Sequence, residues 1–526
     1  MNIFVKRVTY GSLLLLFVST FLHGLLDQKS ALDLEILPRG THQSLFATIN
    51  QTSTLQGSEF LKKILSQPII CIKTLKERQH YIQFFITHTE QSQELRKCLS
   101  RLAQHEKALQ LSALRNPLSD ATLQGVYFSS QPLRKYNSSP YALDAGYLIH
   151  IAGLCLPLAE YLILHTSIGW LFNAEHDHSA CGGHHPTPEA GLVKYYGAQA
   201  AILGCHIPSL YEMGTTIKHR ALITKRMQQD MIHVRKYLKQ AQGIYTLLKQ
   251  EKQLTDFKPL QTLETFFDPA AGCCRFQELI QLLESSTFSG KSSVINHVGK
   301  VLAAYMLYSE VQEDFLKIGK ALGEIDFYLS LAHTMETQTE TTPWCFVDYQ
   351  DASVPSITTR NLRHLFLKHD ALRATDIDCT QTLHTLITGD NGSGKSTYIN
   401  GLGHALVLAQ SVGIVPACTF EVTPLSNIRT YRFIEDNIFE GTSRFYAECA
   451  RIEDILQTIE NSIGFCCVLL DEPFTSTHAV KGCNHLQNAL TRLFSMRHVI
   501  SFTATHYHML NNLVEGSKQI KSMRLG

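Results

Sequence analysis

Between residues 32 and 335 the apolar positions recur at intervals of three and four, the spacing of helices that bury one face. The run opens with Leu32-Asp-Leu-Glu-Ile-Leu. Two short amphipathic stretches follow, Phe60-Leu61 with Ile64-Leu65 and Ile72 with Leu75, separated at Pro68. Leu95–Leu114 continues the helical pattern, and residues 117–140 read as loop. Ile217–Lys252 and Val294–Met335 are long helical patterns, with a shorter helix near Phe276–Glu284 between them. Unbroken, each long helix would reach roughly 50–60 Å, which suits either lever-like arms or a plain bundle. After a turn-rich, partly β stretch from Pro343 to Cys379 the period changes. Leu383–Ile387, Phe465–Leu470 and His498–Phe502 are uninterrupted apolar runs, the mark of parallel strands covered on both faces, and helical patterns at Ile399–Ala409 and Phe445–Leu456 alternate with them. The expected fold class is therefore α + α/β, a helical domain followed by a mostly parallel sheet.

Two segments are more apolar than this scheme requires. Lys6-Arg7 precedes an uncharged run, Val8–Leu26, which reads as a signal-type segment or a membrane anchor. Tyr147–Phe172 is long enough to span a bilayer, but Pro157, Glu160, His150 and His165 lie inside it, and a buried helix of the helical domain is the favoured reading. If the first segment crosses a membrane, a crossing by the second would return the chain to the cytosol. The loop Asn173–Pro186 then offers Glu175, His176, Asp177, His178, Cys181, His184 and His185 at spacings that match no closed zinc site, so a polar inter-helix loop is expected.

The chemistry is concentrated at the ends of the three apolar runs. Leu383–Ile387 leads into Gly389-Asp390-Asn391-Gly392-Ser393-Gly394-Lys395-Ser396-Thr397, a glycine-rich loop opening a helix. Its glycines let backbone N–H groups face phosphate oxygens, Lys395 can reach the β- and γ-phosphates, and the Ser396 hydroxyl suits Mg²⁺. The helix N-terminus adds a positive field. Phe465–Leu470 ends in Asp471-Glu472, an acid for Mg²⁺ followed by one that can polarise a water. The third run ends in Thr503-Ala504-Thr505-His506, which places a histidine where ligands bind in such sheets. These residues point to a phosphate-loop ATPase using ATP and Mg²⁺.

Charge is balanced, 47 Lys and Arg against 46 Asp and Glu, so a polyanion would have to meet a local patch. The 14 cysteines, including adjacent pairs at Cys273-Cys274 and Cys466-Cys467, are not spaced as a disulfide framework. They read as reduced thiols of a cytoplasmic ATPase domain, with the N-terminal segment offering a membrane attachment.

Assembled in order, these residues resemble the MutS family of DNA mismatch-repair ATPases. Leu34-Glu-Ile-Leu, Thr52-Ser-Thr-Leu-Gln-Gly-Ser and Leu65-Ser-Gln-Pro-Ile with Glu77-Arg-Gln resemble the entry to its helical core. Glu324-Ile325-Asp326 with Leu331-Ala332 resembles the end of its lever, and Arg363-His364 the pair before its ATPase. Val415-Pro416-Ala417, Gly441-Thr442-Ser443-Arg444-Phe445 with Glu448, Asp471-Glu472-Pro473-Phe474 and Ala504-Thr505-His506-Tyr507-His508 complete the set. The resemblance implies a helical core and lever at 31–340, with the hydrophobic insert near 147–172, a phosphate-loop ATPase domain of the ABC class at 341–526, and a separate hydrophobic segment at 1–30. It also implies a homodimer in which Ser443 reaches the partner's nucleotide, and DNA as ligand. The mismatch-reading and connector domains that full-length members place before the core are expected to be absent, Asp390 and Ser393 stand where the family usually has Pro and Gly, and Pro473 is closer to ABC transporters.

Three functions follow. The first is a dimeric MutS-like ATPase that clamps mismatched or otherwise structured DNA. The second is a membrane-associated ABC-type ATPase that moves a protein partner. It would require Leu-Ser-Gly-Gly-Gln before Asp471, which is absent. The third is a membrane-anchored MutS relative whose levers act on a protein.

Overall fold

The computed structural model describes residues 25–39, 43–115, 126–128, 130–177, 188–268, 274–289, 298–338, 343–367, 375–432, 444–513 and 519–525. The chain divides into two compact units, residues 1–96 with 323–526 and residues 97–322. The architecture is α + α/β, rich in helix and built on a parallel sheet.

The first unit begins with helices α1 (Gln28–Asp33), α2 (Leu45–Ile49), α3 (Leu55–Ser66) and α4 (Ile72–Thr87). The gap from α3 to α4 contains Pro68, as the pattern requires. Its strands are β1 (Cys345–Phe346), β2 (Asp348–Tyr349), β3 (Ile357–Leu362), β4 (Thr375–Asp378), β5 (His384–Thr388), β6 (Ile414–Val415), β7 (Thr419–Val422), β8 (Asn427–Tyr431), β9 (Cys466–Asp471), β10 (Val499–Ala504) and β11 (Ile520–Arg524). The central sheet has the order β11-β5-β10-β9-β8, and every neighbouring pair is parallel. Every residue of β5, β9 and β10 is buried. Cys466, Val468 and Leu470 join a core with Ile452, Ile455, Leu486 and Leu490, which lie on two helices of the opposing layer, Arg444–Glu460 and Ala479–Phe494. Leu469, one residue out of phase, reaches Gly403 on the helix Lys395–Ser411. A period of two thus assigns alternate side chains of β9 to the two helical layers.

The stretch after residue 24 closes the β8 edge of this sheet. Ile428 N donates to the Leu25 carbonyl at 2.9 Å, Thr430 N to Ser30 Oγ at 2.9 Å and Thr430 Oγ1 to Asp33 at 2.7 Å. Arg451 adds an ion pair to Asp27 at 3.2 Å. The Leu32–Leu37 pattern therefore belongs to the α/β unit as an edge cover.

In the same unit, Thr54 caps α3 by accepting from Gly57 N at 2.9 Å. Its own N–H and hydroxyl both donate, at 2.7 Å each, to the buried carboxylate of Asp326. Burial raises the Asp326 pKa, opposed by these hydrogen bonds. A Cβ on Gly57 would stand 2.6 Å from the same carboxylate. Two segments 272 residues apart in sequence are thus joined at one buried acid.

The second unit holds most of α5 (Thr89–Arg115), then α6 (Pro140–Leu154), α7 (Leu156–Asp177), α8 (Pro188–Lys249), α9 (Lys258–Phe267), α10 (Cys274–Leu283), α11 (Val298–Glu310) and the first part of α12 (Gln312–Glu336). The expected helix Ile217–Lys252 is the C-terminal half of α8, whose 62 residues reach about 93 Å. The expected helix Val294–Met335 is broken at Val311 into α11 and α12, and residues 294–297 lie outside the described residues. On α8 the buried face begins abruptly: Ile223, Met227, Met231, Val234, Leu238 and Ala241 are all enclosed. Before Ile223, none of its described side chains is buried.

Tyr147–Phe172 forms the end of α6 and most of α7, with Pro157 in the first turn of α7, where a missing N–H costs little. The expectation that this stretch is a buried helix is not met. The most apolar 18-residue window of Pro140–Ile168 has none of its residues buried. The run is continuous because its whole circumference is apolar, and periodicity cannot distinguish an enclosed helix from one facing an apolar phase. The N-terminal run Val8–Leu26 and the donors His178, Cys181, His184 and His185 lie outside the described residues, apart from Leu25 and Leu26.

Asp326→Ala is expected to lower the unfolding free energy by about 2–3 kcal/mol, because it orphans two buried donors of Thr54 and weakens the α3 cap. Asp326→Asn, which keeps an acceptor in place, should cost less. Urea titration of both variants checks this. A loss under about 0.5 kcal/mol for the alanine variant would contradict the role given to the carboxylate.

Candidate functional site

The three fully buried strands β5, β10 and β9 are adjacent and parallel, so their C-terminal ends reach one edge of the sheet together. The chain leaves β5 through Gly389–Gly394 and enters α13 (Lys395–Ser411). Gly394 caps this helix at φ 100°, a conformation that costs any other residue a steric penalty. At Gly389 a side chain would also collide with the backbone, its Cβ 2.3 Å from the Leu525 carbonyl. Asp390 and Asn391 are exposed at the loop's crest. The Ser393 hydroxyl is buried without a hydrogen-bond partner.

Lys395, with a side chain 3% exposed, donates to the carbonyls of Gly389 at 2.8 Å and Asp390 at 3.0 Å, and pairs with Glu472 at 3.1 Å. Ser396 Oγ donates to Asp471 at 3.0 Å. Burial raises the Asp471 pKa, and the Ser396 bond works against that rise. Loop, lysine, serine and acidic pair are therefore one connected set, brought together from positions 75 residues apart.

The acidic pair is set on unusual backbone. Glu472 has φ 49° and Phe474 φ 64°, left-handed conformations that are rare outside glycine. Two bonds hold them, Glu472 N to the Ala504 carbonyl at 3.0 Å and Tyr507 Oη to the Phe474 carbonyl at 2.8 Å. His506 follows β10 at the same edge and is exposed, its ring 4.7 Å from that of Tyr507. Thr397 lies in the first turn of α13. Ser443 lies outside the described residues, one position before α14 (Arg444–Glu460), and α15 (Ala479–Phe494) follows the acidic pair.

Several supporting residues were quoted in the sequence only as motif letters. Arg78 donates to the Ser411 carbonyl, and Gln79 to the carbonyls of Gly413 at 2.9 Å and Val347 at 2.8 Å, so α4 grips the C-terminal end of α13. Arg363 N donates to the Pro416 carbonyl at 2.9 Å, which joins the Arg-His pair to Val415-Pro416-Ala417. His364 packs against His404 of α13 with ring centroids 5.4 Å apart. Glu448 is buried 3.7 Å from Arg444. The signal that could have found Arg78 and Gln79 is a polar pair on an otherwise apolar helix face, which is too common to single out.

A glycine-rich loop between a parallel strand and a helix, with a lysine, a serine and two acids converging on its mouth, defines the site. Residues 29–332 match MutS domain III and residues 385–526 match MutS domain V. The chain belongs to the MutS family. It is 23% identical over 541 residues to the DNA mismatch repair protein MutS of Chlamydia pneumoniae, covering 95% of this chain and 59% of that protein. Against the MutS of Methanosarcina mazei it is 22% identical over 522 residues, 95% of this chain and 54% of the relative. Against the DNA mismatch repair protein MSH6 of Arabidopsis thaliana it is 24% identical over 534 residues, 93% of this chain and 38% of the relative. The chain thus spans well under two thirds of the length of these relatives.

Two buried imidazoles make the surroundings of the site sensitive to acid. His384 starts β5, 2.9 Å from Ser501 Oγ, and burial lowers its pKa to about 4. His404 Nε2 donates to the Leu34 carbonyl at 2.7 Å, and burial lowers its pKa to about 3. Both are depressed in the folded state, so the unfolded chain binds more protons below its own histidine pKa of about 6.5. Stability should be flat above that value and fall as pH drops below it, by about 2 kcal/mol per histidine at pH 5. His404→Gln retains a donor for Leu34 and should remove roughly half of this slope in denaturation measured across pH 5–7. An unchanged slope would contradict the assignment.

Proposed function

We propose that the chain is a MutS-type ATPase that binds and hydrolyses ATP with Mg²⁺ as a homodimer and couples nucleotide state to DNA. The observation that carries this reading is the convergence of Lys395, Ser396, Asp471 and Glu472 at the mouth of the Gly389–Gly394 loop. The residues fit the ligand. Gly389 leaves no room for a side chain between the Leu525 carbonyl and Ser393, the Ser393 hydroxyl is buried without a partner, and a lysine, a hydroxyl and two acids are the donor set that a metal-bound triphosphate requires.

Backbone N–H groups from Gly389 to Thr397, including those of Asp390, Asn391, Gly392, Ser393 and Gly394, would surround the phosphates. Ser396 and Asp471 would hold Mg²⁺, which neutralises charge on the phosphate oxygens when bound. Lys395 would exchange its contacts with Gly389, Asp390 and Glu472 for phosphate. That exchange frees Glu472 to accept a proton from the attacking water. His506 would face the terminal phosphate, and Ser443 would complete the partner's site across the dimer. The functional parts are the helical core and lever, 31–340, and the ATPase, 341–526, placed in the cytoplasm, with 1–30 as a separate segment. The matches at 29–332 and 385–526 support this division, while residues 25–96 pack with the sheet as one compact unit with 323–526.

Lys395→Ala should abolish nucleotide binding, whereas Glu472→Gln should bind ATP but turn it over at least about 10²-fold more slowly. ATP should drive dimerisation of Glu472→Gln, and Ser443→Arg should block it. Mixing Ser443→Arg with Lys395→Ala chains should restore about one working site per heterodimer, because each spoils a different half. Near-wild-type turnover in Glu472→Gln would remove it as the base. A strictly monomeric ATPase indifferent to Ser443→Arg would remove the composite site. Binding of branched DNA should weaken steeply with salt, and its absence at low salt would overturn the DNA part.

A further inference from the structure

α7 and α8 run antiparallel in the second unit. Tyr161 packs against His206 with ring centroids 5.9 Å apart, and Gln199 Nε2 reaches the His165 carbonyl at 3.5 Å. The base of this hairpin is tied down. Gly299 N donates to Asp144 at 2.6 Å, and Tyr127 Oη to the Leu302 carbonyl at 2.7 Å. Beyond the base the apolar side chains stand open: Leu148 is 65% exposed, Ile149 71%, Ile163 63% and Trp170 72%. On the returning helix Tyr196 and Ile207 are exposed as well.

Two ordinary explanations for such a stretch fail. A core helix would be enclosed, and this one is not. A leader would sit at the N-terminus, and this helix begins at Pro140. A protein partner would ask for one apolar stripe. Placed at about 100° per residue, Leu148, Ile149, Leu158, Leu162 and Leu164 instead spread over more than half the circumference. A helix apolar all round requires an apolar surrounding on all sides.

We propose that this hairpin is inserted in a lipid bilayer, with its base at the membrane surface. Leu148 to Trp170 rises about 33 Å, against a hydrocarbon core of about 30 Å. Between Lys135 and Lys194 the sequence has no lysine or arginine, and Glu160 is the one charged residue between Asp144 and Glu175. The base carries Arg134, Lys135, Lys218 and Arg220, and the far end carries Glu175, Asp177, Glu189 and a single lysine, Lys194. Cations gathered at one end fix the orientation, base toward the cytoplasm. Extrapolating the 165–199 contact along the pair puts Lys194 level with Trp170, a snorkelling cation beside an interfacial aromatic. Inside the span Gln199 and His206 meet α7 along the seam between the helices, where a bilayer tolerates them, whereas Glu160 and, on α8, Glu212 are exposed and in a bilayer would each have to share a polar partner.

The test reads the position of Trp170 directly and needs neither ATP nor DNA. The sequence has two tryptophans, so Trp344→Phe in the full chain leaves Trp170 alone. The protein is reconstituted in phosphatidylcholine–phosphatidylglycerol vesicles with plain or brominated acyl chains. Bromination should quench Trp170 roughly twofold or more, and high salt should not reverse it. Adding Ile149→Asp and Ile163→Asp should abolish the quenching while helical circular dichroism is kept. Vesicle binding through residues 1–30 with Trp170 unquenched by bromine would overturn the proposal. So would a lipid-free dimer in which Trp170 is shielded and lipid leaves it unchanged.

Discussion

Three adjacent strands buried on both faces cannot carry chemistry along their length, so whatever chemistry they support must emerge at their ends. In β5, β10 and β9 that constraint is absolute, since every residue is enclosed. Parallel pairing then brings all three exits to the same edge. Gly389, Thr505 and Glu472 are the first residues past the three ladders, and the latter two are held by a neighbouring strand. Thr505 N donates to the Ile387 carbonyl and Glu472 N to that of Ala504. The left-handed backbone at Glu472 and Phe474 is the local cost of turning an acid back toward Lys395 instead of away into solvent.

The helix behind the glycine-rich loop is gripped at both ends by groups distant in sequence. Its N-terminal lysine is held by the loop and by Glu472. Its C-terminal carbonyls at Ser411 and Gly413 receive Arg78 and Gln79. Halfway along, Gly403 lets Leu34 approach so closely that a Cβ would stand 2.4 Å from its Cδ2. Any displacement of α13 is therefore felt by α4 and by the edge cover at Leu25–Ile36, through hydrogen bonds and close packing instead of diffuse contact. The Thr54–Asp326 junction extends this rigid connection to the residues that follow Gly323.

The sequence was most legible where local rules and burial agree. The change from three-and-four spacing to uninterrupted runs marked β5, β9 and β10, and the glycine pattern marked the loop between β5 and α13, because few backbones can run from a strand into a helix through that many glycines. Contacts between distant segments were not legible. Asp326 carries no local sign that it will accept from Thr54, and Leu32–Leu37 is too short for its pattern to reveal that it covers a sheet edge. The break at Val311 was missed because α11 and α12 keep compatible apolar spacing across it.

The harder lesson concerns two apolar runs without alternation and with opposite surroundings. Phe465–Leu470 and Tyr147–Phe172 both lack alternation, and hydropathy alone would place either of them inside a protein. Their backbones separate them. A strand leaves its N–H and C=O groups to be paired by neighbours, as β8 and β10 do for β9, and so can exist only within a sheet. A helix satisfies those groups within itself and needs only its side chains to be wetted by something apolar. Among the described residues, α6 and α7 meet protein only at the docked base and along the seam with α8, while α8 keeps a fully enclosed face from Ile223 onward. Among the described residues, the same chain thus encloses one half of a 62-residue helix in protein and covers the other half only along its seam with α7. The boundary between the halves falls close to the basic cluster Lys218–Arg226, the residue types that a membrane–water interface selects.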